Sequence, residues 1–172
     1  MRKTWVGWFA VALGVGCSPT LDWREVAPEG GTLRVLFPCR PDHHARPMAI
    51  AGSKVQLDMF VCAAEGATFA LSLVDEVDPT RIRATLIELR EAAVRNVQGA
   101  AVRQEPLQIP GMTSNPEAWR LRLSGRLPDG VAIEEHAAFF THGRRVYQAT
   151  VIGSRPVPQA VETFFGSLKF AG

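Results

Sequence analysis

Hydrophobic and polar residues alternate along much of the chain, which is the pattern of β-strands with one buried face. Strands are predicted over residues 32–38, 54–63, 68–74, 102–109, 118–127, 131–141 and 146–152, with a last short strand at 168–170. The second stretch is the clearest, because Val55, Leu57, Met59 and Val61 share one face. The chain is therefore predicted to be rich in β-structure.

Apolar residues at spacings of three and four mark a helix in the middle of the chain. Asp78 is a suitable N-cap, Pro79 fits the first helical position and Gly99 is a suitable end. The apolar stripe between them consists of Ile82, Leu86, Leu89, Ala93 and Val97. This pattern predicts an amphipathic helix with one face packed on the sheet.

A second, shorter helix is predicted near the C-terminus, from Pro158 to Gly166. Its periodicity places Val161, Phe164 and Phe165 on one apolar face. So many large apolar groups are typical of an element docked on a core, and these three residues are expected to form the core of the closing helix.

The predicted element order is βββ-α-ββββ-α-β, which indicates an α+β fold with helices packed on a mostly antiparallel sheet. Residues 32–172 are expected to form a single domain, and residues 17–31, with their prolines and glycines, a tether. A strand ending in Phe37-Pro38, a hairpin, one amphipathic helix, a meander and a closing helix with Phe164-Phe165 together resemble the PsbP-like superfamily.

The resemblance to PsbP-like proteins covers about residues 31–171. That superfamily includes a photosystem extrinsic protein, a Ran-binding import factor and bacterial lipoproteins. It implies an α-β-α sandwich with a binding role, commonly without catalysis. None of its functional residues can be transferred to a position of this chain.

The first residues have the order of an export signal, with Arg2 and Lys3 followed by an uncharged apolar run at 5–15. That run has about eleven residues, whereas a membrane-spanning helix needs roughly 20. Residues 1–16 are therefore predicted to be a cleaved signal peptide, and the segment 13–17 resembles the lipobox of bacterial lipoproteins.

Cys17 follows the predicted cleavage point and is expected to carry the lipid. The alternative is ordinary secretion with an incidental cysteine. Ser18 resembles the outer-membrane sorting signal of enteric bacteria. The expected location is thus the cell envelope, facing the periplasm, with the outer membrane favoured over the inner.

Composition and charge narrow the classes of partner. Hydrophobic residues make up 47% of the chain and charged residues 21%, which fits a folded domain. The chain has 19 Lys and Arg against 17 Asp and Glu, a formal charge of +2, and loss of Arg2 and Lys3 leaves 17 against 17. A neutral domain lacks the electrostatic footprint of a nucleic-acid-binding protein.

With Cys17 lipidated, Cys39 and Cys62 remain as an even pair in an oxidising compartment, where a disulfide is expected. The segment between them, 40–53, contains two prolines and a glycine and is predicted to be a loop. In a simple hairpin around this loop Cys39 would lie opposite Lys54. A bridge therefore requires the segment to fold back, or its flanking strands not to be partners.

A metal site is a further possibility in the same region. Asp42, His43 and His44 are weak candidate ligands beside Cys39, since copper and zinc bind such groups. Adjacent histidines in an extended segment project in different directions, however, and the spacing of a known metal motif is missing. The alternative is a polar loop beside a disulfide.

Glu134 and His136 share one face of a predicted strand, so the carboxylate could orient the imidazole for catalysis. Arg120 and Arg122 are expected opposite them across the turn at 128–130, which favours a surface ladder of charges.

These observations predict a non-catalytic envelope lipoprotein that binds or assembles with another envelope component, without a cofactor. Two alternatives remain: a small-molecule or metal carrier that uses residues 39–44, and a hydrolase with a dispersed site. The sequence has no Gly-x-Ser-x-Gly motif and no phosphate-cradling glycine loop.

Overall fold

The structure is a computed structural model that describes residues 21–28, 30–75 and 78–171. Ten strands and two helices are present in these ranges. The strands are β1 Arg24–Val26, β2 Leu33–Phe37, β3 Asp42–Ile50, β4 Ser53–Ala64, β5 Ala67–Asp75, β6 Ala100–Pro106, β7 Trp119–Arg126, β8 Ala132–His142, β9 Arg145–Gly153 and β10 Lys169–Phe170. The helices are α1 Ile82–Asn96, which follows a 3-10 turn at Pro79–Arg81, and α2 Pro158–Gly166.

Seven strands form one antiparallel sheet in the order β3-β4-β5-β9-β8-β7-β6. A second, three-stranded antiparallel sheet has the order β1-β2-β10. The protein is therefore α+β and mostly antiparallel, as the sequence pattern predicts.

The large sheet has a hydrophobic core on each face, because successive side chains of a strand point to opposite sides. In β8, Ala138 and Phe140 belong to one core and Ala137 and Phe139 to the other. Helix α1 covers the second face through its buried residues Leu86, Leu89 and Ala93. Helix α2 and the small sheet cover the first face, where the buried set includes Val161, Phe164 and Phe165.

The predicted loop at 40–53 is wrong, because most of it is the edge strand β3. A two-residue turn at Ala51 and Gly52, both with positive φ, joins β3 to β4. Pro47 is compatible with this strand because β3 lies at the sheet edge, where none of the described strands pairs with the outer side of its backbone.

The β3–β4 hairpin also explains how the two cysteines meet. Its register places Asp42 opposite Val61, so the chain just before β3 lies beside the end of β4. Cys39 and Cys62 form the expected disulfide, with a Cα–Cα distance of 6.0 Å. The segment between them folds back as a strand of its own, which is one of the two conditions that the sequence set.

The segment predicted as a tether contains β1, which pairs with β2. Strands β1 and β3 together add two strands before α1 to the predicted element order. Trp23 packs edge-on against Phe69, with 6.5 Å between the ring centroids. The alternation of residues 21–26 is too short for a strand to be recognised from sequence.

The predicted signal peptide, residues 1–16, and Cys17 lie outside the described residues. In the part of the chain that the structure describes, no helix is long and apolar enough to cross a membrane.

Candidate binding cleft

A cleft of about 380 Å³ lies between α2 and the β6–β7–β8 part of the large sheet. Seven ionisable side chains from these four elements converge on it. They are Arg103 and Glu105 from β6, Arg120 and Arg122 from β7, Glu134 and His136 from β8, and Glu162 from α2. We call this feature the charged cleft.

The strand register sets the order of charges on the floor of the charged cleft. Arg103 lies directly opposite Arg122, and Arg122 lies directly opposite His136. These three side chains form one row across three strands. The neighbouring row places Glu105 opposite Arg120. Neighbouring strands lie about 5 Å apart, so the groups of one row are close enough to share a ligand.

Glu134 joins two of the cationic groups. Its carboxylate accepts a hydrogen bond from Arg122 at 2.5 Å and another from Nε2 of His136 at 2.5 Å. Burial by itself raises the pKa of Glu134, but the hydrogen bonds from Arg122 and His136 outweigh it and leave the pKa below its usual value. The hydrogen bond to Glu134 in turn raises the pKa of Arg122. The carboxylate therefore remains ionised at neutral pH.

Arg120 connects the sheet to the closing helix. Its guanidinium donates to both carboxylate oxygens of Glu162, at 2.6 and 3.2 Å, in the two-pronged geometry that arginine favours. The same group lies over the Phe165 ring, 4.6 Å from its centroid. The hydrogen bond from Arg120 holds the pKa of Glu162 below its ordinary value, against a smaller opposing effect of burial. These contacts fix the position of α2 along one side of the cleft.

The remaining wall of the charged cleft is apolar. Pro156, Pro158 and Val161 line it where the chain enters α2. Two prolines restrict the backbone at this entry, so the wall is stiff in comparison with an ordinary loop. The cleft thus combines a floor of ionisable side chains with one apolar side, so it is more polar than the usual small-molecule pocket.

The charges that the sequence singled out on β7 and β8 do lie together. Arg120, Arg122, Glu134 and His136 share one face of the sheet, on the side of α2. The expected ladder is present between Arg122 and Glu134. Arg120 instead pairs with the helix, because its cross-strand neighbour on β8 is an alanine.

Three residues of the charged cleft were not anticipated: Arg103, Glu105 and Glu162. The first two lie on β6, whose position beside β7 depends on long-range pairing with a register shift between Ala101 and Arg103. The third depends on how α2 docks. The only local signal for Arg103 and Glu105 was that a basic and an acidic residue stand two positions apart in a predicted strand and so share a face.

The candidate metal ligands do not converge. His43 and His44 are adjacent on the exposed strand β3 and so point to opposite faces. His43 hydrogen-bonds Asp58 at 2.9 Å and stacks on Phe60 at 4.5 Å between ring centroids. Cys39 is oxidised in the disulfide. Within residues 21–28, 30–75 and 78–171, no group of three His, Cys, Asp or Glu side chains could hold a metal ion.

One acidic side chain of β8 points away from the charged cleft. Glu135 lies on the α1 face of the sheet with 4% of its surface exposed, between Leu123 of β7 and Ile152 of β9. Burial raises the pKa of Glu135 to about 7. This carboxyl group belongs to the apolar core and not to the site.

Chemically, the charged cleft can hold a polar or ionic group by hydrogen bonds from several directions. The two carboxylates Glu134 and Glu162 are held ionised by their cationic partners, which makes them acceptors at neutral pH. The exposed guanidinium groups of Arg103 and Arg122 are donors only. A comparison of the chain with protein-family models and with curated proteins finds no match.

Proposed function

We propose that this protein is a non-catalytic lipoprotein of the bacterial envelope and that its charged cleft binds another envelope component. The observation that carries this proposal is the convergence of seven ionisable side chains from β6, β7, β8 and α2 on one cleft. Exposed ion pairs contribute little stability, so the stability of the fold does not by itself account for this convergence of charged groups.

The ionisation of the cleft supports binding over acid catalysis. A general acid or base works best with a pKa near the operating pH. The pKa values of Glu134 and Glu162 are instead held below their usual range by arginine and histidine partners. Both groups are therefore suited to accepting hydrogen bonds from a ligand and poorly suited to giving it a proton.

The PsbP-like sandwich is part of the same proposal. Its support is the large antiparallel sheet, covered on one face by α1 and on the other by α2 and the small sheet. The closing helix of this sandwich, α2, forms one wall of the charged cleft. The disulfide between Cys39 and Cys62 supports export, because disulfides persist in oxidising compartments. Lipidation of Cys17 rests on the sequence alone.

Photo-crosslinking in intact cells tests the proposed binding site. A benzophenone side chain at Val157, which is 38% exposed and adjacent in sequence to the lining residues Pro156 and Pro158, samples molecules bound at the edge of the cleft. The matched control carries the same group at Ala45, which is exposed on β3 at the opposite edge of the sheet. The proposal expects a discrete adduct from Val157 alone. Identical products from both positions, or none from either, would contradict it.

A hydrolase is the second candidate, favoured by the 2.5 Å hydrogen bond between Glu134 and His136. This pair could orient the imidazole to activate water. A turnover assay with the crosslinked component separates the two functions, because a hydrolase would release a cleaved product from it and lose that turnover in His136→Ala, whereas a binding module would release no product even as wild type. Release of a cleaved product that depends on His136 would replace the binding proposal with this one.

A further inference from the structure

The middle row of the charged cleft contains two arginines and a histidine on three successive strands. Arg103, Arg122 and His136 are directly opposite one another in the register. Like charges directly opposite in a sheet destabilise it. The nearest carboxylates, Glu105 and Glu134, are placed to the sides of this row and not within it. Each arginine is paired with the carboxylate at its side, and no carboxylate lies between Arg103 and Arg122 in the row, so a ligand placed between them would meet both guanidinium groups.

Both arginines of this row have hydrogen-bonding capacity to spare. Arg103 donates to Glu105 through Nε and Nη2, and Arg122 donates to Glu134 through Nη2. A guanidinium has five N–H groups. In both arginines the two N–H groups on Nη1 have no acceptor among the described residues. Their side chains are 71% and 51% exposed, which leaves these donors open to a ligand.

His136 completes the donor set of the row. The ionised carboxylate of Glu134 can only accept, so the ring donates to it from Nε2. Its other nitrogen, Nδ1, donates when the ring carries two protons and accepts when it carries one. The three side chains together can donate to one ligand from three adjacent strands.

We propose that the row Arg103–Arg122–His136 binds the phosphate group of an organic phosphate ester. This rests on the proposed function, since it names the ligand chemistry of the same cleft. A carboxylate has two oxygens in one plane, and a single guanidinium can bind both of them, as Arg120 does with Glu162. A phosphate offers oxygens in three directions and more negative charge, which matches donors from three strands.

The organic part of the ester has a place beside the row. The cleft volume of about 380 Å³ exceeds what a phosphate group fills, and its apolar wall is formed by Pro156, Pro158 and Val161. A glycerol or similar carbon skeleton attached to the phosphate packs against this wall. The same chemistry is presented by a phospholipid headgroup and by a soluble phosphate ester.

Calorimetric titration of the purified Cys17→Ala protein tests the inference, because without Cys17 no attached lipid complicates the result. The probes are glycerol 3-phosphate, inorganic phosphate and acetate at constant ionic strength, and vesicles of phosphatidylglycerol. Binding of glycerol 3-phosphate more tightly than inorganic phosphate, with acetate much weaker, is expected. Binding to vesicles but not to the soluble esters would assign the phosphate to a lipid headgroup. If acetate binds as tightly as the phosphates, or none of the four probes binds, the inference is wrong.

Arginine substitutions locate the binding. Arg122→Gln and, separately, Arg103→Gln should each weaken binding at least tenfold, since each removes a charge-assisted hydrogen bond. Arg95→Gln is the matched control, because Arg95 is an exposed arginine of α1 paired with Glu91 outside the cleft. Two cleft variants are used so that misfolding of one leaves the other informative, with circular dichroism as the check. Equal weakening by all three would show unspecific charge attraction and overturn the inference.

The two proposals fail in different ways. A specific adduct from Val157 without phosphate binding would leave the cleft as a binding site with another ligand. Phosphate binding that depends on Arg122, without any adduct in cells, would contradict the proposed envelope partner and leave the anion site in place.

Discussion

Glu135→Gln should make the protein less sensitive to pH, because it replaces the one acidic side chain that is buried in the core between α1 and the sheet within the described residues. In the native state burial raises the pKa of this carboxyl from 4.5 to about 7. In the unfolded chain the group is exposed to water and has its ordinary pKa. The folded protein therefore retains a proton that the unfolded chain releases.

The sign and size of the effect follow from the two pKa values. Below about pH 4.5 the group is protonated in both states and costs nothing, and as pH rises towards 7 the unfolded chain gains by ionising while the native state does not. Stability is lost over this window. The difference of about 2.5 pH units, at 1.36 kcal/mol each, corresponds to about 3 kcal/mol as an order of magnitude.

Urea unfolding of wild type and Glu135→Gln at pH 4.5 and pH 8 measures the effect. The glutamine is neutral at both values, so the variant should gain about 3 kcal/mol relative to wild type between the two pH values. A constant offset from altered packing cancels in this comparison. Glu91→Gln, at an exposed position of α1, should change by less than about 0.5 kcal/mol. If the stability difference between wild type and Glu135→Gln is the same at both pH values, the burial argument is refuted.

Three further changes test other parts of the structure. Phe164→Ala should lower the free energy of unfolding in urea by about 3–5 kcal/mol, because the ring is fully buried among three other phenylalanine rings 5.2 to 5.5 Å away. An unchanged unfolding midpoint would show that α2 is not part of the core. Gly125→Ala should lower the melting temperature markedly, since its Cβ would lie 2.1 Å from the Val97 carbonyl oxygen, whereas Gly166→Ala meets no atom within 4 Å at a position without positive φ and serves as the comparison. Cys17→Ala should abolish incorporation of labelled palmitate, and equal labelling of the variant and wild type would remove the lipid anchor from the account.

Much of the fold was predictable from local patterns. The alternation within β4, β5, β7, β8 and β9 and the stripe of α1 gave the element types, because burial of one face imposes a period of two on strands and 3.6 on helices. The edge strand β3 was not predicted, because a strand without a buried face does not show this period of two. Seven of its nine positions are exposed, so no burial pattern marks it, and its proline is compatible with an edge.

Only the part of the charged cleft formed by β7 and β8 was predictable from the sequence. The turn at 128–130 makes β7 and β8 neighbours, and their register brings Arg122 to Glu134 and His136. That arrangement is local in sequence. The other half depends on β6, which pairs with β7 only after the loop at 107–118, and on the docking of Glu162 in α2 against Arg120. Contacts of this kind arise from tertiary packing and leave no periodic signal in the sequence.

The central claim is that the charged cleft, and no other surface, binds the partner. The most direct test combines the two probes of that site in one experiment: photo-crosslinking from Val157 in cells that express wild type, Arg122→Gln or Arg95→Gln at equal levels. We expect an adduct in wild type and Arg95→Gln that is lost or reduced at least tenfold in Arg122→Gln, because only Arg122→Gln removes a donor from the cleft. An adduct of equal yield in all three proteins would contradict the claim.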